Sequence, residues 1–346
     1  MHNGGDTTLK FGIVGTGHRT ATTLLPASRQ LSDASLTAIC DISEPAMNGL
    51  KMGSGVGQYT DFHSMLSKEK LDFIIAATPH DVYRGIIEAA AEKGVHVLKE
   101  KPFAVSIREG IYFEELARNR IHVATLLQRR TIPTYTHFFT LKGQIGEPFF
   151  VESKYAKFIE KPYGGWRGDR DKIGGGVIVD MGYHIIDLLV WYFGLPDSVY
   201  AVYTSRAAPN VDYRAEDTAS VLFGYGSGLR GSLFVSKYYS PKTEYVRIVG
   251  SEGTITLDGS GATLSKPDGR VTGFLQNEAR EVDAVRSQIE AFCRVVRGEA
   301  KNSSDSSYNL QHVAFVEACY GSQEIGYRSC DGVYPQIQAH SRYREP

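Results

Sequence analysis

Cysteine is scarce in this chain of 346 residues. The four cysteines, Cys40, Cys293, Cys319 and Cys330, lie far apart, and none stands in a Cys-x-x-Cys or other metal-ligand spacing. This pattern argues against a disulfide framework and predicts no metal site. It is typical of a cytoplasmic protein with reduced thiols.

An excess of charge of one sign is also missing. The chain carries 38 Lys and Arg against 39 Asp and Glu, so its formal net charge is −1. Such a chain has no electrostatic reason to bind nucleic acid or an anionic membrane. No run approaches the ~18 apolar residues that a membrane helix requires, and the first ten residues lack the apolar stretch of a secretory signal. We therefore expect a small-molecule partner, with no nucleic acid and no membrane.

Glycine and tyrosine, by contrast, are abundant, with 36 and 20 residues. Glycine permits tight turns and close approach of the backbone to a ligand. Tyrosine suits strands and pocket walls. The apolar share of 42% and the length together allow two domains, each with its own core.

Short apolar runs alternate with helical patterns over the first 127 residues. The predicted strands are 10–14, 36–40, 73–77, 95–98 and 121–127, and the predicted helices are 19–31, 84–93 and 106–119. Strands separated by helices predict a doubly wound parallel sheet with right-handed crossovers. We assign residues 1–128 to this α/β domain.

The remainder, residues 129–346, is richer in long strands. They are predicted at 149–157, 199–205, 218–223, 229–236 and 245–249, with helices at 177–193, 282–297 and 310–327. This order predicts an α+β domain with an antiparallel sheet and helices on one face.

A glycine-rich turn joins the first predicted strand to the first helix. Gly15 and Gly17 flank Thr16 there, and glycine lets the backbone turn sharply and approach a pyrophosphate that faces the helix N-terminus. The third glycine of this dinucleotide fingerprint is replaced by Thr20, which the fold tolerates if the helix sits slightly further out.

Asp41 ends the second predicted strand, 21 residues after Thr20. A carboxylate at this place accepts hydrogen bonds from ribose hydroxyls and repels a 2′-phosphate, which favours NAD over NADP. Arg19 leaves NADP open, because a guanidinium can pair with a phosphate. The alternative is that the glycines only make a turn and that Asp41 only caps a helix.

Longer motifs extend the pattern over nearly the whole chain. They are Gly12-Ile-Val-Gly-Thr-Gly17, Cys40-Asp41, Ala76-Ala-Thr-Pro79, His96-Val-Leu-Lys-Glu-Lys-Pro102, Gly174-Gly-Gly-x-x-x-Asp180-x-Gly-x-His184-x-x-Asp187 and Glu216-Asp-Thr-Ala219. Together they resemble the Gfo/Idh/MocA family, named after glucose–fructose oxidoreductase, inositol dehydrogenase and the rhizopine-catabolism protein. The resemblance implies a Rossmann domain, a second domain with a large open antiparallel sheet, a nicotinamide cofactor and a sugar or polyol substrate.

One segment departs from the family. Many members carry Thr-Pro-Asn-x-x-His after the fourth strand, where this chain has Thr78-Pro79-His80-Asp81-Val82-Tyr83. His80 and Tyr83 therefore change the expected nicotinamide contacts and the shape of the substrate site. The residues expected to contact the cofactor are Gly15, Thr16, Gly17, His18, Arg19, Asp41, Thr78, Pro79, His80, Glu100, Lys101 and Gln128.

His184 is the candidate base for removing the proton of a hydroxyl that loses hydride. An unperturbed imidazole titrates near pH 6.5, which suits general base catalysis. Asp180 and Asp187 lie on the same predicted helix face, the first to orient substrate or pair with a charge and the second to set the imidazole tautomer. The alternative is a solvated polar face on an amphipathic helix.

Lys101 follows the fifth predicted strand, at the sheet end where ligands of open α/β sheets bind. Its ammonium can hold the reacting hydroxyl and stabilise a developing alkoxide, and Glu100 can pair with it. A cis bond between Lys101 and Pro102 would aim the lysine into the cleft. The alternative is an exposed lysine in a turn, and the resemblance favours the catalytic role.

The second domain is expected to complete the substrate site. Aromatic faces suit the apolar side of a pyranose, and an arginine can bond hydroxyls or a carboxylate. The candidates are Tyr155, Tyr163, Trp166 and Arg167, with Gln128 and Arg130 lining the same cleft. For each of these residues, the alternative to substrate binding is a purely structural role.

Three functions compete. The first is an NAD(P)-dependent dehydrogenase acting on a sugar, cyclitol or sugar derivative. The second is a glycosidase on the same scaffold that oxidises a sugar carbon transiently and returns the hydride. The third is a non-catalytic NAD- or sugar-binding regulator, which the retention of Lys101, Asp180 and His184 argues against. Because an open sheet face must be covered, we expect a homodimer or homotetramer through that sheet.

Overall fold

The computed structural model describes the backbone of residues 8–118, 120–161, 165–208 and 210–333, and side chains as far as residue 322. Tyr163 lies outside the described residues. Two large sheets dominate the fold, one of six strands and one of eight.

The first sheet confirms the predicted doubly wound α/β architecture. Its strands are β1 (Leu9–Val14), β2 (Ala34–Cys40), β3 (Gly57–Tyr59), β4 (Phe73–Ala76), β5 (His96–Lys99) and β6 (Val123–Thr125). They are all parallel, in the order β3-β2-β1-β4-β5-β6. Strand β1 pairs with both β2 and β4, so the strand order reverses there. A reversal of this kind opens a crevice beyond the carboxyl ends of the strands.

Helices connect these strands. They are α1 (Leu25–Ser28, preceded by the π-helical turn Thr20–Leu24), α2 (Glu44–Gly49), α3 (Phe62–Lys68), α4 (Tyr83–Lys93) and α5 (Ile107–Ala117). The sequence pattern misses α2, β3 and α3, because each is short and largely exposed. The predicted cap of α5 is confirmed, since the Ser106 hydroxyl accepts a hydrogen bond from the Glu109 amide.

The second sheet has eight strands and is mixed. They are β7 (Pro148–Phe158), β8 (Ser198–Thr204), β9 (Thr218–Gly224), β10 (Arg230–Ser236), β11 (Tyr238–Gly250), β12 (Gly253–Asp258), β13 (Gly261–Ser265) and β14 (Val271–Gln276). The order is β14-β13-β12-β11-β7-β10-β9-β8. Strands β7 and β10 are parallel and the other neighbours antiparallel, so the predicted antiparallel sheet needs correction at one pair. The pattern also misses β12–β14.

The remaining helices are α6 (Pro133–Thr136), α7 (Phe138–Leu141), α8 (Arg170–Ile173), α9 (Tyr183–Phe193), α10 (Glu281–Val296) and α11 (Ser306–Val333). Helix α9 packs on the inner face of the second sheet, where Ile185 and Leu189 join Val221 and Leu233 in one core. The stretch Arg170–Phe193 has the length and hydropathy of a membrane helix, contrary to the expectation from the sequence. Most of it is buried inside the fold, as in the core helix of a globular domain.

The two C-terminal helices bridge the domains. In α10, Ile289 and Phe292 share a core with Phe11 and Phe73 of the first sheet, and the ring centroids of Phe73 and Phe292 lie 5.6 Å apart. Helix α11 packs against α5 as well as α9. The range predicted for the second domain, residues 129–346, thus includes a helix that packs on the first sheet.

Candidate active site

The glycine turn after β1 is built for close approach. Gly15 has a φ of +94°, and a Cβ there would collide with the backbone oxygen of Ala77 after β4. A Cβ on Gly17 would meet open space instead. Thr20 does more than replace the third glycine, because its buried hydroxyl donates to the Gly15 carbonyl over 2.6 Å. The turn therefore presents its backbone at the crevice beside the helical turn Thr20–Leu24.

Asp41 reaches the same turn from the end of β2. Its Oδ2 accepts hydrogen bonds from the amide (2.7 Å) and the hydroxyl (3.0 Å) of Thr16, and its Oδ1 accepts from the Ser43 amide over 2.9 Å. These contacts fix the carboxylate next to the glycine turn. Ile42, which follows it, is 92% exposed, so the outer wall of this part of the crevice is apolar.

Arg19 and Glu100 form a bridge across the crevice. Arg19 Nε lies 2.6 Å from Glu100 Oε1, and Arg19 Nη1 lies 2.5 Å from Glu281 Oε1 on α10. The predicted pairing of Glu100 with Lys101 is therefore wrong, because the guanidinium takes that carboxylate. Arg19 is held by two carboxylates, although its buried Nη2 has no partner among the described residues.

Asp180 lies in the π-helical turn Ile178–Gly182, directly before α9, and contacts three cations. Lys101 Nζ donates to the Asp180 carbonyl and lies 3.2 Å from Oδ1, while Lys237 Nζ lies 3.2 Å from Oδ2. Arg167 Nε is 3.8 Å from Oδ1. Lys237 follows β10 and is only 2% exposed. Lys237 is not among the site residues predicted from the sequence. The one feature that could have indicated it is a charged residue directly after an apolar strand.

These charges shift one another. Burial would raise the pKa of the Asp180 carboxyl, but Lys101, Lys237 and Arg167 hold it well below its usual range. Burial lowers the pKa of the Lys101 ammonium, and Asp180 opposes that effect. The three cations therefore keep the Asp180 carboxylate ionised, while burial makes Lys101 a weaker base than a lysine in water. The predicted cis bond between Lys101 and Pro102 is present.

His184 lies one helical turn beyond Asp180 and is half-buried. Its ring centroid is 6.3 Å from that of Tyr155, and the guanidinium of Arg129 is 5.1 Å from the Tyr155 ring. Burial, with the charges of Arg129 and Lys101, lowers the pKa of His184 well below its ordinary value. The imidazole is therefore neutral near pH 7 and free to accept a proton.

Asp187 does not set the tautomer of His184, so that prediction is wrong. Three residues further along α9 it turns toward α11, where its Oδ1 accepts from Arg130 Nε over 2.9 Å and lies 3.3 Å from His312 Nε2. Arg130, expected in the cleft, is drawn into this buried cluster. Its neighbour Arg129 lines the cleft instead, paired with Glu244 at 2.5 Å.

The segment 78–83, which departs from the family pattern, packs against the site. His80 is 4% exposed, and its Nδ1 lies 2.8 Å from the Ile173 carbonyl. Its ring is 4.8 Å from that of Trp166, over which Arg167 stacks at 4.4 Å. Burial lowers the pKa of His80 to about 3, so this ring is neutral. His80 thus supports the predicted substrate residues Trp166 and Arg167 from the Rossmann side, beside the half-buried Thr78 and Pro79.

A cavity of about 740 Å³ opens beside His184. The cavity is lined by Gln128, Arg129, Tyr155 and Glu244. Further polar residues that line it are Tyr245, Thr256, Asp258, Ser260 and Asn277. Arg129 Nη1 and Gln128 Oε1 are buried without a partner among the described residues. Such atoms are available for a polar ligand, since buried polar groups are nearly always hydrogen-bonded. Among the residues that the structure describes, no group of three or more His, Cys, Asp or Glu side chains is placed to hold a metal ion.

Both halves of the chain match known protein families. Residues 9–126 match the oxidoreductase family with an NAD-binding Rossmann fold, and residues 140–256 match the GFO/IDH/MocA C-terminal domain. Together the two matches cover well over half of the sequence.

Similar proteins span the whole fold. The chain is 25% identical to "D-xylose 1-dehydrogenase (NADP(+)) 2" of Haloferax volcanii, over 92% of this chain and 98% of that protein. It is 28% identical to D-apiose dehydrogenase of Paraburkholderia graminis, over 87% and 84%. The crystal structure of an oxidoreductase from Agrobacterium radiobacter, in complex with NAD+, L-tartaric acid and magnesium, superposes with a TM-score of 0.80. It is 22% identical, with 92% of this chain and 97% of that chain covered.

Substitution of Lys237 tests the carboxylate cluster. We expect Lys237→Met to lower the free energy of unfolding at neutral pH by about 1.5–3 kcal/mol, because a buried charge loses a charged hydrogen-bond partner. A carboxyl with a lowered pKa stabilises the fold above its unfolded pKa of about 3.9, and this stabilisation is lost as the pH falls through the folded pKa. The difference in the free energy of unfolding between the variant and the wild type should therefore become smaller as the pH is lowered.

Urea unfolding at pH 7 and at successively lower pH measures this difference. Lys172→Met is the matched control, because Lys172 is 52% exposed and lies 3.5 Å from Asp169 in an exposed pair. Equal stability of the Lys237 variant and the wild type at every pH would contradict the cluster.

Proposed function

Because the chain belongs to the Gfo/Idh/MocA oxidoreductase family, we propose that it transfers hydride between NAD(P) and a secondary alcohol or ketone of a sugar, cyclitol or sugar derivative. The observation that carries the proposal is the meeting of Lys101 from the first domain with Asp180 and His184 from the second. This meeting takes place beyond the carboxyl end of β5, the strand that leads into the turn carrying Lys101.

The crevice residues fit a dinucleotide. Open space at Gly17 and the helical turn after it suit a pyrophosphate, and Asp41 is placed for ribose hydroxyls. We propose that Gly15, Thr16, Gly17, His18, Arg19 and Asp41 hold the adenosine diphosphate half. Thr78, Pro79, His80, Glu100, Lys101 and Gln128 then border the nicotinamide half, whose ring supplies the hydride acceptor or donor.

His184 is the general base in this proposal. Its lowered pKa keeps the imidazole neutral, so that it takes the hydroxyl proton as the hydride departs. Lys101 donates a hydrogen bond to the reacting oxygen and stabilises the negative charge that develops there. Asp180 keeps Lys101 charged against the effect of burial and fixes its direction. In the reverse direction the same groups return the proton.

The charges around the cavity favour a neutral polyhydroxylated substrate. Arg129 is paired with Glu244, and Arg247 with Glu152 at 3.2 Å. No large excess of either sign is left to select an anion. Tyrosine rings, such as that of Tyr155, offer apolar faces for the carbon side of a sugar ring. The volume of 740 Å³ lies within the roughly 300–1,000 Å³ of small-molecule sites.

The activity is tested by measuring the reduction of NAD in the presence of a panel of sugars and inositols. The panel includes aldoses that oxidation would convert into lactones. For the best substrate, Lys101→Ala and His184→Ala should each lower kcat by about 10²-fold or more and leave the Kd of NAD nearly unchanged. Fluorescence titration gives the Kd, and Lys93→Ala, an exposed lysine on α4, is the control. Full activity of both variants would reject the mechanism, and tight NAD without net reduction would favour a redox-neutral reaction.

Cofactor choice rests on Asp41 in this proposal, with NAD preferred. We expect Asp41→Ser to raise the affinity for NADP relative to NAD, because a 2′-phosphate no longer meets a carboxylate. The ratio of the two Kd values measures the change, and Asp268→Ser, in an exposed turn, is the control. An unchanged ratio would mean that Asp41 does not contact the ribose.

We also propose a homodimer or homotetramer formed through the outer face of the second sheet. The exposed side chains Tyr200, Val202, Leu222 and Phe150 lie on this face, and Tyr200 and Leu222 are direct cross-strand partners. Apolar side chains grouped on one open sheet face favour association. A cytoplasmic location fits the same proposal, since Cys40, Cys293 and Cys319 are buried free thiols.

A charge on that face tests the oligomer. Leu222, which is 57% exposed, has Tyr200 and Ser232 as direct neighbours in the sheet. Leu222→Arg should lower the mass measured by sedimentation velocity, because charge repels charge between copies. Ile111→Arg, on helix α5 of the first domain, should leave the mass unchanged. A wild-type monomer, or an unchanged mass in the Leu222 variant, would refute association through this face.

A further inference from the structure

A second lysine stands next to the proposed catalytic one, and nothing in the reaction uses it. Lys99 is the last residue of β5 and is completely buried. Its Nζ donates hydrogen bonds to the carbonyls of Glu100 (3.0 Å), Pro102 and Phe103 (3.1 Å). All three carbonyls belong to the turn that carries Lys101.

The number of donors matches the number of acceptors. An ammonium has three N–H groups and no acceptor, and the turn directs three carbonyls at it. A buried carbonyl without a partner is unfavourable, so an apolar residue at position 99 would leave the turn with unsatisfied groups. Each of the other fully buried positions of β5, Val97 and Leu98, carries an apolar side chain.

The charge of Lys99 is stabilised without an ion pair in the part of the chain that the structure describes. Its Nζ lies 3.7 Å from the centroid of the Tyr83 ring on α4, within cation–π distance. Burial lowers the pKa of the Lys99 ammonium to about 7; the charge of Lys101 adds to this effect, and Glu109 on α5 and Glu100 in the turn oppose it. Glu109 itself accepts a hydrogen bond from the Val105 amide, and Glu100 is paired with Arg19. Tyr83, which replaces the usual family histidine, thus provides the ring against which this ammonium packs.

We propose that Lys99 is a positioning residue, which fixes the 100–103 turn so that Lys101 reaches Asp180 and the reacting oxygen. Lys99 lies behind the turn and touches neither substrate nor cofactor. The role assigned to Lys101 rests on the proposed function, whereas the ordering of the turn by Lys99 does not. A misplacement of a catalytic group by about 1 Å can cost about 10²-fold in rate.

Lys99→Met tests the proposal, because methionine has a similar length and no donor. We expect the backbone amides of Lys101, Phe103 and Ala104 to exchange with deuterium at least tenfold faster in the cofactor-free protein. We expect kcat to fall at least tenfold while the Kd of NAD stays within threefold. Lys99→Arg, which keeps charge and donors, should restore part of kcat.

Lys266→Met, an exposed lysine before the β13–β14 turn, is the matched control and should change none of these values. If Lys99→Met does not fold, Tyr83→Leu takes its place, since it removes only the ring and should give a smaller change in the same direction. Wild-type exchange in the turn together with wild-type kcat in the tested variant would overturn the inference. A wild-type enzyme that turns over no carbohydrate would reject the proposed function instead, and the exchange rates would still decide whether Lys99 orders the turn.

Discussion

A single buried carboxylate joins the parts of this protein that have to meet. Asp180 lies at the start of the long helical stretch of the second domain, Lys101 comes from a turn of the first, and Lys237 follows a strand of the second sheet. Burying an ion costs several kcal/mol unless partners replace its hydration. Asp180 therefore has a strong preference for the arrangement in which both lysines reach it. That arrangement also holds the turn after β5 against the second domain.

A second buried cluster and two helices provide the frame for this contact. Arg130, just after the end of the first domain, pairs with Asp187 of α9, while His312 of α11 lies against the same carboxylate. Helices α10 and α11 then pack on elements of both domains. Because Asp180 and Asp187 sit on one helical stretch, the position of Arg130 constrains the place where Lys101 has to arrive. The chemistry is thus set by contacts on two sides of one helix.

Much of this could be predicted from the sequence, and the limits have physical causes. Strand–helix alternation and the Gly15-Thr16-Gly17 turn identify the parallel sheet, because hydrophobic period and turn chemistry are local properties. Charge pairing is not local. Glu100 is adjacent to Lys101 in sequence, yet it pairs with Arg19, 81 residues away. The mixed second sheet and strands β12–β14 escape prediction for a similar reason, since half-exposed strands gain their stability from neighbours that sequence spacing does not reveal.

Burial has opposite consequences for the two groups proposed to move the proton. It disfavours the charged forms of both His184 and Lys101 and lowers the pKa of each. Asp180 separates them. It lies beside Lys101 and favours the ammonium, while the cations Arg129 and Lys101 near His184 keep the imidazole neutral. One carboxylate therefore creates a donor and an acceptor from two groups in the same desolvated cleft. The near-zero net charge of the chain hides this local order, in which three cations surround one carboxylate at the place where an alkoxide would bring negative charge.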